Sequence, residues 1–223
     1  MLYKNLFYIF ICVTFSTFIL SLIFPNLFIY SNIHFMNSHD AATHYNNVLF
    51  IISDIANGGI QFWNRYDLTN TFFLQISYGL YTFQNITTSL LFIFINEIFN
   101  YEISFHKFYS FFFFFIAIVI RSFGFFLLLK LISNNLLLSI IGTIIANIFF
   151  TYHLNLGLVT INLLSYLPLM LYLLLQIFYN FKLKYFTLLI FVFAICVVNS
   201  PLMTLGYFYM TIHAFLISLF LFN

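Results

Sequence analysis

The stretch FYSFFFFFIAIVIRSFGFFLLLK at 108–130 decides the fold class of this chain. Phenylalanine fills 111–115, one charged side chain, Arg121, lies inside the run, and Lys130 ends it. An apolar run of this length is enough for a helix to cross a hydrocarbon core of about 30 Å. The stretch therefore predicts a transmembrane helix that carries an ionisable group.

The composition of the whole chain points to the same environment. Of its 223 residues, 64% are hydrophobic, 24% are aromatic and 5% are charged, and the mean hydropathy is +1.06. A soluble domain has about 25% charged residues. The few charges of this chain could not cover a water-facing surface. We therefore expect a lipid bilayer around the chain. The net charge of +2 is too small to indicate a nucleic-acid partner.

Further apolar runs lie on both sides of 108–130. We interpret 6–24 as an uncleaved first span, because it is long for a signal peptide and no small-x-small cleavage site follows it. Cys12 and Cys196 fall inside apolar runs, which favours small buried hydrophobes over a disulfide or a metal site. The other predicted spans are 135–151, 161–179 with Pro168 inside, 185–199 and 202–222.

The segment 25–107 is more polar than these runs. We predict a helix at 40–56 with Ser38 as its N-cap and Gly58-Gly59 as its stop, a short helix near 71–82 and an interfacial helix near 86–99. None of these would span. The expected fold is therefore all-α: a polytopic membrane protein with about six transmembrane helices and one large extracytoplasmic loop bearing short interfacial helices.

The lysines set the expected orientation. Lys4, Lys130, Lys182 and Lys184 all lie at ends of predicted spans. If the N-terminus is cytoplasmic and 71–100 does not cross, these four of the five lysines are cytoplasmic, as the positive-inside rule prefers. This arrangement makes 25–107 extracytoplasmic.

Asp40 is the leading candidate for chemistry. A carboxylate that follows a membrane helix and is flanked by His39 and His44 can act as a general base or bind a divalent cation. On a helix, Asp40 and His44 are i, i+4 neighbours. The alternative is a solvated acid at a helix start, stabilised by the helix dipole, and spacing alone favours this alternative.

A second group of candidates follows the tight turn at Gly58-Gly59. Trp63 and Asn64 suit a sugar face or a lipid headgroup, although an aromatic belt at the membrane surface is the more frequent role of tryptophan. Arg65 could pair with a phosphate, or with Asp67 or Asp54 in an ordinary salt bridge.

Two more candidates lie among the predicted spans. Arg121 could face an internal cavity and meet a lipid phosphate or a loop carboxylate; snorkelling or hydrogen bonds to neighbouring helices account for it equally well. His153 is predicted on the same side as Asp40, where an amphipathic boundary role is the simpler explanation.

These residues resemble the N-terminal part of the GT-C class of integral membrane glycosyltransferases, and within it the YfhO-like bacterial membrane proteins. The matching segments are Asp40-x-x-x-His44-Tyr45, the stretch NGGIQFWN at 57–64, and YLPL at 166–169. The sequence departs from the family where His44 replaces a glutamine and where LTN at 68–70 replaces a Gly-Pro turn.

The resemblance implies transfer of a sugar from a polyprenyl-phosphate-linked donor at the extracytoplasmic face of a bacterial inner membrane. Asp40 would be the catalytic residue, acting either as acid-base or as a contact of a divalent cation; the sequence itself requires no cofactor and indicates no metal ligands, and a divalent cation is the one candidate. The family is longer, so 1–223 would be a single transmembrane domain, the N-terminal part of a larger protein. The expected substrate-binding residues are His39, His44, Gly59, Trp63, Asn64, Arg65, Asp67, Arg121 and His153.

Two other functions stay open on the sequence. A non-catalytic membrane subunit of a larger complex would use phenylalanine-rich helices for packing and the loop for docking. A transporter ranks last, because no paired broken helices or inverted repeat is evident. In an enzyme the candidate residues should converge on one concavity; in a subunit they should point apart or into protein contacts.

Overall fold

The structure of the protein, a computed structural model, describes residues 2–23, 39–58, 83–99, 105–153, 158–199 and most of 209–217. Every regular element within these ranges is an α-helix. The helices are α1 (Leu2–Ile23), α2 (His39–Ala56), α3 (Phe83–Phe99), α4 (Phe105–Ser133), α5 (Leu136–His153), α6 (Leu158–Tyr179) and α7 (Leu183–Asn199).

The helix positions agree with the apolar runs, which confirms the all-α fold. α2 begins at His39 and ends at Ala56, and Gly58 follows with a φ of 102°, as expected for a glycine stop. α6 continues through Pro168, also as expected. The predicted helix at 71–82 lies outside the described residues, and of 202–222 only helical residues between 209 and 217 are described.

Two of the helices contain a stretch long and apolar enough to cross a membrane. These stretches are Lys4–Ile23 and Phe115–Ser133, and the remaining apolar stretches of described helix are shorter. A buried core helix or an N-terminal signal sequence would have the same length and composition. The prediction of six spans therefore stays a prediction.

α4 packs against α1, α3, α5 and α6. It comes close to α6 at Gly124, where an added Cβ would lie 2.6 Å from the backbone nitrogen of Leu169. Two apolar clusters hold the helices together. One joins α1 to α4 and includes the buried Cys12 and Phe126, and the other joins α6 to α7 and includes the buried Cys196. Both cysteines are thus buried among hydrophobic side chains, as predicted.

The two ends of α4 have different neighbours. At its carboxyl end, Lys130 Nζ donates a hydrogen bond of 2.7 Å to Asn5 Oδ1 at the start of α1. At its amino end, the ring of Phe92 on α3 lies 5.0 Å from that of Phe105 and 5.2 Å from that of Phe108. The 29 residues of α4 extend roughly 43 Å, so the contact with α3 lies far from Lys130.

Short turns bring the later lysines to the Lys130 end. α4 and α5 are separated only by Asn134 and Asn135, and Asn135 Oδ1 accepts hydrogen bonds from the first turn of α5. α5 therefore runs back along α4, and α6 returns in the direction of α4. The turn at 180–182 after α6 carries Lys182 towards that same end.

Candidate functional site in the helix interior

The polar side chains of α5 form one buried stripe. Ser139, Thr143, Asn147 and Thr151 recur every four residues, so they share one face of the helix, and all are at most 1% exposed. The opposite face is apolar and exposed. Its members are Leu137, Ile141, Ile145 and Phe149, with exposures of 64%, 45%, 60% and 58%. α5 is thus polar inside and apolar outside, the reverse of a helix on a water-soluble protein.

Asn147 connects three helices through this stripe. Its Nδ2 atom donates to Ser16 Oγ on α1 at 3.0 Å and to Ser122 Oγ on α4 at 2.8 Å. All three side chains are fully buried. The other amide atom, Asn147 Oδ1, is also buried and has no hydrogen-bond partner.

Arg121 lies one residue before Ser122 and is 0% exposed. Its Nη2 atom donates to Thr151 Oγ1 at 3.0 Å, and its Nε atom donates to the Ala117 carbonyl at 3.3 Å. Thr151 Oγ1 in turn donates to the Asn147 carbonyl at 2.8 Å. The guanidinium is therefore held against α5 by a hydroxyl that is itself fixed in orientation.

The charge of Arg121 is not neutralised within the described part of the chain. Its hydrogen bonds there go to a hydroxyl and a carbonyl, and no carboxylate accepts from it. The third nitrogen, Nη1, is buried without a partner. If this helix lies in a bilayer, an uncompensated cation near its centre costs at least about 2.5–3.5 kcal/mol, so Arg121 needs a physical explanation.

An apolar pocket of about 240 Å³ lies between α4, α5 and α6, and Arg121 is not among the residues that line it. Phe125 and Leu128 of α4, Phe150 of α5 and Leu171 of α6 line it. Phe125 lies one turn beyond Arg121, and Phe150 precedes Thr151 in the chain. The rings of Phe125 and Phe150 are 5.3 Å apart and form one wall.

No family model, curated protein or solved structure matches the chain.

The predicted catalytic group is placed only by its backbone. Asp40 and His44 lie in the first two turns of α2 and are separated by one turn, as expected, and His39 is the first residue of that helix. Their side chains lie outside the described part of the structure. Whether they converge with other candidates therefore stays a prediction.

The other predicted residues divide into two groups. Arg121 is buried as described above, which favours hydrogen bonding to a neighbouring helix over snorkelling. His153 is the last residue of α5, two positions after Thr151, so its backbone lies close to the Arg121 contact. Outside the described residues are Gly59, Trp63, Asn64, Arg65 and Asp67.

The described side chains hold no group of three or more histidines, cysteines or acids that could bind a metal ion. The candidate divalent cation would contact Asp40, whose side chain is not among them. The cation therefore stays a prediction.

Sequence reasoning missed the buried stripe that includes Asn147 and Thr151. Its signal is present in the printed sequence, since the four polar residues of α5 recur at a strict spacing of four within an apolar run. In a bilayer, such a face packs against neighbouring helices and exchanges hydrogen bonds with them.

Proposed function

We propose that the chain is a polytopic integral membrane protein in which α1, α4, α5, α6, α7 and the C-terminal segment span the bilayer. The observation that carries this proposal is the reversed polarity of α5. In water, an exposed stripe of leucine, isoleucine and phenylalanine is an association-prone patch. In hydrocarbon, the same stripe is solvated by lipid, and the buried hydroxyls and amide find partners on adjacent helices.

In this proposal the lysine end of the bundle, which is the end that carries Lys130 and Lys182, faces the cytoplasm. Lys130 lies beside the start of α1, and the turn that carries Lys182 returns to the same end. Cationic side chains are retained on the cytoplasmic side of a membrane. α3 packs on the opposite end of α4, so the segment 25–107 is extracytoplasmic. The resemblance to bacterial membrane proteins assigns the bilayer to the inner membrane.

Within this placement the protein transfers a sugar from a polyprenyl-phosphate-linked donor, either alone or as the N-terminal part of a larger enzyme. The support for this activity is the family resemblance of the segments at 40–45, 57–64 and 166–169, together with the position of Asp40 in the first turn of a helix. In the proposed topology α2 belongs to the extracytoplasmic segment, which is the side from which an acceptor would approach.

In the proposed reaction Asp40 removes the proton from an acceptor hydroxyl. The acceptor oxygen then forms a bond to the anomeric carbon of the donor sugar. The bond from that carbon to the phosphate oxygen breaks, and the polyprenyl phosphate leaves with the bonding electrons. His44 and the residues that follow Gly59 would orient the donor and the acceptor.

The test uses membranes that contain the complete gene product and a panel of radiolabelled polyprenyl-phosphate hexoses. Asp40→Asn should lower transfer by about 100-fold or more, because a general base contributes roughly 10²–10⁴ to a rate. Glu97→Gln is the matched control, since it neutralises an exposed acid at the end of α3. Unchanged transfer by Asp40→Asn would remove this carboxylate from the mechanism.

A non-catalytic membrane subunit is the second candidate. Arg121 favours it, because both hydrogen-bond partners of this side chain belong to the helical frame itself. A subunit of this kind would purify in mild detergent as part of a complex of fixed stoichiometry. That complex would form equally well with Asp40→Asn, and the chain would transfer no sugar.

A further inference from the structure

The C-terminal segment, of which helical residues between 209 and 217 are described, packs on α6 along one side. Thr211 is 2% exposed and lines the apolar pocket together with Leu171 of α6. The ring of Phe215 lies 5.8 Å from that of Phe178, near the end of α6. Thr211 and Phe215 are four residues apart, so they share one side of a helix. This side faces the bundle.

The opposite side of the same segment is exposed and carries two polar rings. Tyr209, Leu216 and Ile217 are 64%, 46% and 59% exposed, and His213 is exposed as well. Their spacing of four and then three or four residues places them along one stripe. The rings of Tyr209 and His213 are 4.0 Å apart, so the phenol and the imidazole form one compact patch. We call these four residues the outer stripe.

One nitrogen of the His213 ring is satisfied within its own helix. Nδ1 lies 2.9 Å from the carbonyl oxygen of Tyr209, and a carbonyl can only accept, so Nδ1 carries a hydrogen and donates it. In the neutral ring Nε2 is then an acceptor without a hydrogen. In the part of the chain that the structure describes, no group donates to Nε2. The imidazole therefore presents an unused acceptor on the outer stripe.

The hydrocarbon of a bilayer offers no donor for this acceptor. His213 lies near the centre of 202–222, the sixth span of the proposed topology. An exposed hydroxyl such as that of Thr187 finds its hydrogen bond on its own helix, here at the Leu183 carbonyl. An imidazole cannot satisfy both nitrogens in this way, because they point in different directions. Polar side chains within spans pair with groups on neighbouring helices, which indicates that a partner helix covers the outer stripe.

We propose that the outer stripe is the interface of a symmetric dimer of this chain within the membrane, in which the Tyr209 hydroxyl of each copy donates to His213 Nε2 of the other. A two-fold interface uses the same patch twice, so the patch must be complementary to itself. The outer stripe meets this requirement, because a donor and an acceptor lie one helical turn apart. The proposal rests on the membrane placement above and not on sugar transfer.

The remaining two members of the outer stripe supply apolar contact. Leu216 and Ile217 continue the stripe for one further turn, where they pack against the same residues of the second copy. The two hydrogen bonds thus have apolar packing beside them, and this combination holds transmembrane helices together.

The experiment measures association of the full chain in phospholipid vesicles. Asn180→Cys supplies an exposed attachment point for donor and acceptor fluorophores, because both native cysteines are buried. Energy transfer is recorded while the protein-to-lipid ratio is lowered, which gives a dissociation constant as a mole fraction. The chain with the native outer stripe should associate with a stoichiometry of two and dissociate on dilution with lipid.

Two variants test the hydrogen bonds. Tyr209→Phe and His213→Leu should each raise the dissociation constant about tenfold, because either one removes both interhelical bonds and each bond contributes about threefold. Tyr179→Phe is the matched control, since it removes the hydroxyl of a tyrosine that is 53% exposed at the end of α6, and it should leave association unchanged. All three positions are exposed, so helical circular dichroism should be retained.

Cross-linking gives a second measurement that does not depend on the hydrogen bonds. Ile217→Cys should form an intermolecular disulfide in vesicles on mild oxidation, because position 217 of both copies lies at the same interface. Ile145→Cys is the control, since this position is just as exposed, at 60%, but belongs to α5. It should cross-link at least about tenfold more slowly, in proportion to the rarity of random encounters.

Three results would overturn the proposal: a monomer at every protein-to-lipid ratio, a dissociation constant that is unchanged in His213→Leu, or a disulfide that forms as fast at Ile145→Cys as at Ile217→Cys. A monomer that co-purifies from native membranes with a different protein, and loses it in His213→Leu, would assign the outer stripe to that protein instead. A chain that does not insert into vesicles refutes the membrane placement, which is a separate outcome. The transfer assay with Asp40→Asn is read independently of all these results.

Discussion

Arg121 and Thr151 are joined across the interface of α4 and α5 by a hydrogen bond of 3.0 Å from Nη2 to Oγ1. The same hydroxyl donates to the Asn147 carbonyl at 2.8 Å, so it uses both its accepting and its donating capacity. Neither contact can form without that oxygen. Position 151 therefore requires a hydroxyl, although valine would fill the same space.

Thr151→Val should destabilise the protein by about 1–3 kcal/mol, because a second nitrogen of a buried guanidinium loses its partner. Thr151→Ser is the control, since it keeps the hydroxyl and should retain most of the stability. The measurement is unfolding in mixed micelles of increasing dodecyl sulfate, followed by circular dichroism. Equal stability of the valine variant and the wild type would mean that this hydrogen bond contributes nothing to the fold.

Asn147 and Ser16 should be energetically coupled. The Asn147 amide donates to Ser16 across the interface of α1 and α5, and interhelical hydrogen bonds in membranes contribute about 0.6 kcal/mol on average. A double-mutant cycle with Asn147→Ala and Ser16→Ala should give a coupling of about this size. The control cycle pairs Asn147→Ala with Thr187→Ala, whose exposed hydroxyl bonds within α7, and it should give no coupling. Equal coupling in both cycles would contradict the contact.

The helix positions could be predicted because apolar runs and breakers determine them locally. Gly58 is an instance: its positive φ suits glycine, and α2 ends beside it. The partner of Arg121 could not be predicted in this way. Thr151 is 30 residues away in the chain, so the contact depends on how α5 packs against α4.

The candidate site was predictable in part. Arg121 stands out in the sequence, because a charge inside a long apolar run needs a physical explanation. The apolar pocket gives no such signal, since Phe125 and Leu171 are ordinary members of apolar runs and become neighbours only after folding. Taken alone, Asn147 looks like a single polar residue that an apolar helix can tolerate. Its significance emerges only from its regular spacing with Ser139, Thr143 and Thr151.

Gly124 should not tolerate alanine. An added Cβ would lie 2.6 Å from Leu169 N and would force α4 and α6 apart, at a cost of about 1–3 kcal/mol. Gly142→Ala is the matched control, because its Cβ would meet Leu129 Cδ1 at 2.8 Å, which is the end of a side chain that can rotate. It should change stability by less than about 1 kcal/mol, since alanine is the better helix former. Similar melting temperatures for the two variants would argue against close packing at Gly124.

The exposed apolar side of α5 should reject a carboxylate at its centre if this helix spans the bilayer as proposed. Ile145 is 60% exposed, so Ile145→Asp would be almost neutral in a soluble protein. In a bilayer it should cost about 2.5–3.5 kcal/mol and reduce the membrane-inserted fraction. Leu137→Asp is the control, because it lies in the first turn of α5, where the helix dipole favours an acid. Normal insertion of Ile145→Asp would contradict the membrane placement of this helix.

Glu97 and Asn180 should be accessible from opposite sides of the membrane. Both residues are exposed; Glu97 is near the end of α3, which packs on the amino end of α4, and Asn180 precedes Lys182 at the lysine end. In intact cells, a membrane-impermeant maleimide should label Glu97→Cys, whereas Asn180→Cys should react only after permeabilisation. The native chain serves as the background, because both of its cysteines are buried. The reverse pattern would place Lys130, Lys182 and Lys184 outside, against the positive-inside rule, which favours a cytoplasmic position for them.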